Sequence, residues 1–426
     1  MSNIITRTYE PRDERAMNEV IQQSFKNPNA NAYPLPPSRF VVIAELDGKV
    51  VGHTSIRPML FHVGGSIVRA GILHMVGTDP AHQHEGIGHA MLDKVTEIMR
   101  AERLAISLLE TPVPLFYRLK NWEVVSDRVD VTVPRAAVEA GAAKFKGTLE
   151  LRDGSLDRLA VYAGTRERMG SKCWFFVHTN GEYMKLLADK MFHGSLVEFF
   201  YEIWLGGQYK GYLFGSRDIS IKEGEALRIT IKELAMDAYD PATIAAIYKE
   251  LLSFDDEFQA VGAGFNVVPG LAVAMKALGG TDVKVGGNVD MIRINMVREF
   301  FKAIRGQLEP ALAGFLRKAK QKEAQDVLLD VDGERVVLSC KGGHVVVNDG
   351  TSSCDGCATF SLARTDLARV VTGLVAPSVL VTEGKARCEP RVTLAQLDAV
   401  FPPRPVVINY SNHFFTAHAG EMGIEN

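Results

Sequence analysis

The chain has 426 residues, 46% of them hydrophobic and 23% charged, with a formal net charge of −3 at pH 7, the make-up of a soluble globular protein too long for a single ordinary core. That charge balance excludes a dedicated nucleic-acid binder, which needs clustered Lys and Arg to neutralise phosphates; the basic run Arg317-Lys318-Ala319-Lys320-Gln321-Lys322 reads as the solvated end of a helix. No stretch reaches the ~20 apolar residues of a membrane span, Met1-Ser2-Asn3-Ile4 lacks a signal-peptide core, and five scattered cysteines fit a reducing compartment, so a cytoplasmic protein is expected.

Asp13–Phe25 has helical spacing through Met17, Val20, Ile21 and Phe25, and the Pro- and Asn-rich loop after it cannot continue the helix. Phe40–Glu45 and Lys49–Arg57 read as strands joined at Asp47-Gly48, a hairpin signal. A second hairpin near Gly64-Gly65 leads to the strand Ile72–Val76, then to a glycine-rich loop and the helical run Ala90–Arg100. Leu104–Leu109 reads as a buried strand, Leu115–Leu119 as a short helix and Trp122–Val125 as a further strand.

The middle of the chain repeats part of this order. Gln208–Arg217 echoes Gly48–Arg57, and in both copies a strand and an Asp-Pro step follow, at Asp79-Pro80 and Asp240-Pro241. The second step opens a helix without any Gly-x-Gly, so it cannot bring its backbone to an anion in the same way. From Met291 the order becomes α+β: helices at Val297–Ile304 and Leu308–Lys320, strands at Val327–Val331, Arg335–Ser339, Gly343–Asn348 and Cys357–Leu362, and helices near Arg364–Thr372 and Thr393–Phe401. Leu367–Leu374 and Val379-Leu380-Val381 are apolar enough to line a lipid tunnel, yet equally suited to an ordinary core. Cys354 and Cys357 read as loop or strand thiols, because one Cys pair cannot supply the four ligands of a structural zinc site. His74, His82, His84 and His89 are the densest histidine group, but strand, loop and helix positions point them apart, so no metal is expected.

Gln83-His84-Glu85-Gly86-Ile87-Gly88 carries the chemistry. Its glycines let a loop backbone approach an anion, and the open N–H groups and positive dipole end of the following helix favour negative charge. It lacks both the dinucleotide fingerprint and a Gly-Lys-Ser/Thr phosphate loop. Gln-x-x-Gly-x-Gly after a strand instead resembles the acetyl-CoA signature of the GCN5-related N-acetyltransferases (GNAT), and the element order around it matches their topology.

With the degenerate middle copy and an α+β domain that resembles the sterol-carrier-protein fold, the chain is similar to the enhanced-intracellular-survival (Eis) acetyltransferases over almost its whole length. Two segments carry the likeness: Pro80–Gly88 and Leu115-Phe116-Tyr117-Arg118-Leu119-Lys120-Asn121-Trp122. The resemblance implies an acetyltransferase domain at 1–135, a degenerate second copy at 136–290 and a sterol-carrier-like domain with tail at 291–426. It implies acetyl transfer from acetyl-CoA to an amine, on an aminoglycoside, a polyamine or a lysine side chain, by direct attack in a ternary complex. It also implies a homo-oligomer, a hexamer. By position, Val76, Gly77 and Thr78 would face the pantetheine and thioester, and Gln83, His84, Glu85, Gly86, Ile87, Gly88 and His89 would wrap the pyrophosphate. Tyr117 falls on the general acid that protonates the departing thiolate, and the terminal Asn426 on the carboxylate that acts as base.

Two departures stand out. Relatives usually carry arginines where this chain has Gln83-His84-Glu85, which weakens the grip on the coenzyme phosphates. The chain also runs on from Thr416 to Asn426, so either Asn426 reaches the site by a longer path or another group, Glu110 or His53, takes the proton. The competing expectation is a catalytically weak or inactive protein that holds a lipid in its C-terminal domain.

Overall fold

The computed structural model describes residues 4–31, 35–177, 198–218, 227–263, 268–341, 344–350 and 356–404. The N-terminal part contains β1 (Ile4–Thr8), α1 (Glu14–Ser24), β2 (Val41–Leu46), β3 (Lys49–Val63), β4 (Ser66–Thr78), α2 (Ile87–Ala101), β5 (Ile106–Thr111), α3 (Pro114–Arg118) and β6 (Glu123–Pro134). The β2–β3 hairpin turns on Asp47 and Gly48 at φ of 50° and 80°, the left-handed pair that suits the twist of adjoining strands. The strands run longer than their hydrophobic alternation: β3 and β4 pair along their length down to Val63 and Ser66, so the Gly64-Gly65 turn closes one long ribbon. The short β1 gave no clear sequence signal. It is held to β2 by backbone pairing and by Arg7, which bonds Asp13 at 2.6 Å and Glu45 at 2.5 Å.

The middle part contains α4 (Arg135–Ala142), β7 (Leu149–Asp153), α5 (Leu159–Gly170), β8 (Trp174–Val177), β9 (Phe199–Leu205), β10 (Gln208–Asp218), β11 (Arg228–Met236), α6 (Pro241–Leu252), β12 (Ala260–Ala263), α7 (Pro269–Ala277) and β13 (Thr281–Ile294). One sheet runs through both parts in the order β1-β2-β3-β4-β5-β13-β6-β12-β11-β10-β9-β7. The pairing is the same from either end: antiparallel ribbons, then one parallel pair, β4 with β5 and β11 with β12. At the centre the halves exchange strands. β6, which ends the first, pairs with β12 of the second, and β13, which ends the second, inserts beside β5. The repeated segments Gly48–Arg57 and Gln208–Arg217 lie on the corresponding strands β3 and β10, and each carries a register shift one residue before its glycine, Gly52 or Gly211.

Two helices sandwich the first half. On one face α2 buries Ile87, Met91, Leu92, Val95 and Met99 against Ile56, Leu73, Leu109 and Trp122, a stripe at helical spacing in which each large side chain contributes about 1.5–3 kcal/mol. On the other, α1 sets Met17 and Ile21 on Val41 and Ile43.

The remaining elements are α8 (Val297–Ala319), β14 (Val327–Val331), β15 (Glu334–Lys341), β16 (His344–Asp349), β17 (Ala358–Leu362), α9 (Arg364–Thr372), α10 (Pro377–Thr382), β18 (Ala386–Glu389) and α11 (Leu394–Val400). The five strands form a separate sheet, β16-β15-β14-β17-β18. Where sequence expects two helices across 297–320, α8 is continuous through Pro310. A proline costs a helix interior about 3 kcal/mol; the stripe Val297, Phe300, Phe301, Ile304, Leu308 and Leu312, all buried on both sides of the break, outweighs it. This domain is tied to the large sheet by Arg364, whose guanidinium donates to the Ile294 carbonyl at 2.5 Å and to Glu334 at 2.8 Å. Leu367, Val370, Val371 and Leu380 are core residues, while Leu374 and Val379 are exposed. A cavity of 730 Å³ in this domain is lined by Leu362, Val381 and Ala386 together with the charged Asp330, Asp332, Lys385, Arg387, Glu389 and Arg391. Cys357 is disulfide-bonded, which corrects the expectation of thiols there, whereas Cys173 and Cys388 are free. No helix among the described residues is long and apolar enough to cross a membrane.

Candidate active site

The centre of interest is where β4 leaves β5. The two pair only from Ala70 with Ile106 to Ile72 with Leu108. Beyond that point β4 carries a bulge: His53 pairs Gly77 and Ser55 pairs His74, so Met75 and Val76 together oppose Thr54. Met75 sits at φ 55°, a left-handed conformation costly for a residue with a side chain. The run His53-Thr54-Ser55 holds it there. His53 Nδ1 donates to the Met75 carbonyl at 3.1 Å, and the Thr54 and Ser55 hydroxyls donate to the His74 carbonyl at 3.3 and 3.4 Å. Burial pushes the His53 imidazole down to about 4, so it is neutral at pH 7 and its tautomer is fixed by a carbonyl that can only accept.

The bulge opens a wedge between β4 and β5. The Asp79 amide donates to the Val51 carbonyl at 2.8 Å, so by strand alternation Gly77 faces β3 while the main-chain groups of Val76 and Thr78 face the wedge. The Thr78 carbonyl on that side accepts from Ser24 Oγ at 2.8 Å.

The glycine-rich loop runs from the mouth of the wedge into α2. Gln83, His84 and Glu85 are exposed, with His84 at φ 68°. Gly86 caps the helix at φ 87° with open space around its α-carbon, and no side chain caps the helix. The first amides of α2, from Ile87 to His89, therefore keep their hydrogen-bonding capacity for a ligand. Ile87 itself is buried against the sheet and contributes its amide only. Gly88 is required for a different reason: a β-carbon there would stand 2.7 Å from Phe116 Cζ. The Phe116 ring lies flat against His89 at 4.7 Å between centroids and edge-on to Tyr117 at 4.9 Å. His89 Nε2 also bonds the Phe116 carbonyl at 3.3 Å. Loop, α2 and α3 are thus one packed unit.

Tyr117 is buried on the α2 face, in the cluster that also includes Val76 and Phe116. Burial raises its hydroxyl above the usual phenol value, partly opposed by a hydrogen bond with Thr111, so it remains protonated at neutral pH. Glu110 is half-buried on β5 and accepts from Asn288 Nδ2 at 2.7 Å. The expected base Asn426 lies outside the described residues. His82, His84 and His89 sit on the loop and helix while His74 is buried on the α1 face; among the described residues no metal-holding group forms.

The corresponding helix of the second half is closed. Its N-cap Asp240 accepts from the Thr243 amide at 2.9 Å, so a carboxylate occupies the position that Gly86 leaves open.

Sequence reasoning missed a polar row on the α1 face. Ile72 and Leu108 share that face, and two residues further on each strand stand His74 and Glu110. Strand pairing extends the row to Ser55 on β3, Asp290 on β13 and Ser126 on β6. Its members are far apart in sequence, and only the strand register brings them together.

Residues 6–125 match the acetyltransferase (GNAT) domain family. No curated protein matches the chain by sequence. Among solved structures, a GCN5-related N-acetyltransferase from Anabaena variabilis ATCC 29413 is similar with TM-score 0.72 and 14% identity, over 94% of this chain and 98% of that one. A GCN5-related N-acetyltransferase from Kribbella flavida gives TM-score 0.69 and 16% identity, over 96% and 99%. Eis1 from Mycobacterium abscessus gives TM-score 0.67 and 16% identity, over 96% and 100%. The chain therefore carries a GNAT acetyltransferase domain, and the fold of the whole is shared with these proteins.

Proposed function

We propose that the chain is an acetyl-CoA-dependent N-acetyltransferase that passes acetyl to a primary amine, on a small molecule or a lysine side chain, within a ternary complex. The observation that carries the reading is the bulge at Met75–Val76, which opens β4 from β5 directly beside the uncapped start of α2. In this reading the amides of Ile87, Gly88 and His89 take the pyrophosphate and the exposed loop Gln83–Gly86 closes over it. The groups of Val76 and Thr78 in the wedge bind the pantetheine amides and polarise the thioester carbonyl. The amine nitrogen attacks that carbon from the α1 face, the carbon–sulfur bond breaks, and Tyr117 on the opposite face gives its proton to the departing thiolate. His53, neutral and bonded to Met75, serves the bulge, so the proton that the amine gives up passes to Glu110, on the face from which the amine attacks, or to the carboxylate of Asn426.

The same reading makes the chain Eis-like, with a degenerate second copy, a sterol-carrier-like C-terminal domain, a homo-oligomeric state of six and a cytoplasmic site of action. A lipid-holding alternative draws no support from the 730 Å³ cavity, whose walls carry both signs of charge. The test is thiol release from acetyl-CoA in the presence of a panel of polyamines, aminoglycosides and lysyl peptides. Amine-dependent release that Tyr117→Phe abolishes is expected. Tight acetyl-CoA binding without turnover of any amine would overturn the proposal.

A further inference from the structure

His74 has a place in the molecule that the chemistry above does not use. It is only 5% exposed, yet neither ring nitrogen has a partner, and the buried Nε2 of neighbouring His53 has none either. An unsatisfied buried nitrogen is a liability that a folded protein rarely keeps without a ligand to meet it. His74 stands at the apex of the wedge, one residue before the bulge, on the face opposite α2 and Tyr117. Across the opening stands Glu110, and next to that Asp290. In the second half, folded on the same strand pattern, three such buried groups are paired within the chain: Arg166 pairs with Glu233 at 3.2 Å, and the hydroxyls of Tyr212 and Tyr162 donate to Glu233 and Glu202 at 2.5 Å.

We propose that His74, Glu110 and Asp290 form the acceptor site, in which an ammonium-bearing substrate docks between the two carboxylates and its nitrogen makes a hydrogen bond to the bare nitrogen of His74. The inference rests on the acetyltransferase reading and adds the acceptor's chemistry. Two carboxylates across the opening favour a cationic amine at this place. A protonated imidazole would repel the ammonium; burial together with the nearby Arg57 holds His74 well below the usual histidine value and so keeps it neutral. Asp290 comes from β13, the strand that the second half inserts beside β5. The inactive half therefore supplies one wall of the first half's site.

The test is calorimetric binding of 1,4-diaminobutane to the full chain saturated with CoA. Wild type should bind the diamine. Asp290→Asn and Glu110→Gln should each weaken that binding at least tenfold while CoA affinity stays within twofold. His74→Leu should also weaken diamine binding but melt at a higher temperature than wild type, because it removes two unsatisfied nitrogens, a gain that a histidine satisfied in the core would not give. Wild-type diamine affinity in Asp290→Asn, a lower melting temperature in His74→Leu, or no diamine binding to the CoA-loaded protein would each overturn the inference. Failure of the wild type to bind CoA would instead overturn the acetyltransferase reading beneath it.

Discussion

The two glycines of the loop make a matched pair of perturbations, because each is required for a separate reason. At Gly88 the β-carbon of an alanine would lie 2.7 Å from Phe116 Cζ and 3.0 Å from Cε2. Carbon atoms settle at about 3.5–4.0 Å, so the ring must retreat by roughly 1 Å. Overpacking of this kind costs about 1–3 kcal/mol, and the gain of at most ~1 kcal/mol from Gly to Ala in a helix offsets part of it. Gly88→Ala should thus lower stability only slightly. The retreating Phe116 presses on Tyr117, whose ring meets it edge-on at 4.9 Å, and a 1 Å misplacement of a reacting group can cost about 100-fold in rate. The expected result is a fall in kcat of ten- to a hundredfold with little change in coenzyme affinity. At Gly86 nothing lies within 4 Å, but φ is +87°. An alanine there is penalised by about 1–2 kcal/mol, which the chain avoids by turning the loop and spoiling the aim of the α2 amides. Gly86→Ala should weaken acetyl-CoA binding five- to tenfold and leave kcat at saturation unchanged; Gly86→Asn should do less harm, since Asn tolerates the left-handed region. Steady-state kinetics with both substrates varied, plus calorimetry with CoA, separates the two. An unchanged coenzyme affinity in Gly86→Ala, or a pure affinity loss in Gly88→Ala, would refute the assignment.

Tyr117→Phe should lower kcat by about 10²–10⁴, the usual worth of a general acid; retention of most activity would remove Tyr117 from the reaction. Thr54→Val with Ser55→Ala deletes two bonds to the His74 carbonyl and should raise the KM for acetyl-CoA, with a stability loss of about 1–3 kcal/mol; an unaltered KM would show that the bulge holds without them. Stability should also fall in acid. His53 titrates at about 4 in the folded chain against about 6.5 unfolded, so between those values only the unfolded state takes the proton. The contribution is complete above pH 6.5 and lost as pH falls towards 4, by about 3 kcal/mol in all; urea midpoints at pH 7.5, 5.5 and 4.5 should decline with a slope that His53→Asn makes shallower, and an equal slope in the variant would assign the loss elsewhere.

Much of the first half was legible because its signals are local. Asp47-Gly48 fixed one hairpin, Gly64-Gly65 another, and Gln83–Gly88 placed the loop between β4 and α2, each from a handful of adjacent residues. Two kinds of feature were not. The continuity of α8 through Pro310 depends on what its buried stripe packs against, and a local rule sees only the proline. The polar row depends on register: Ser55, His74, Glu110, Ser126 and Asp290 belong to five strands, and nothing in the spacing of those numbers says that they share a face. His74 stood out only as one of several histidines, and Asp290 not at all. Its strand, β13, comes at the end of the second half in sequence but lies beside β5 in space.

The two halves show how one strand pattern separates a site from its copy. Both have a bulged third strand and a parallel pair after the fourth, but Asp79-Pro80 starts only a short 3₁₀ turn ahead of the loop to α2, whereas Asp240-Pro241 starts α6 itself. In the second half Asp240 caps α6, and Glu233 and Glu202 take the hydroxyls of Tyr212 and Tyr162. Such a network rigidifies the fold. In the first half the equivalent valences stay open at the start of α2 and at both nitrogens of His74. Open groups cost stability, so they persist where a bound molecule answers them. Through β13 the second half also props the wedge of the first, because that strand pairs with β5 from Thr111 to Ile106.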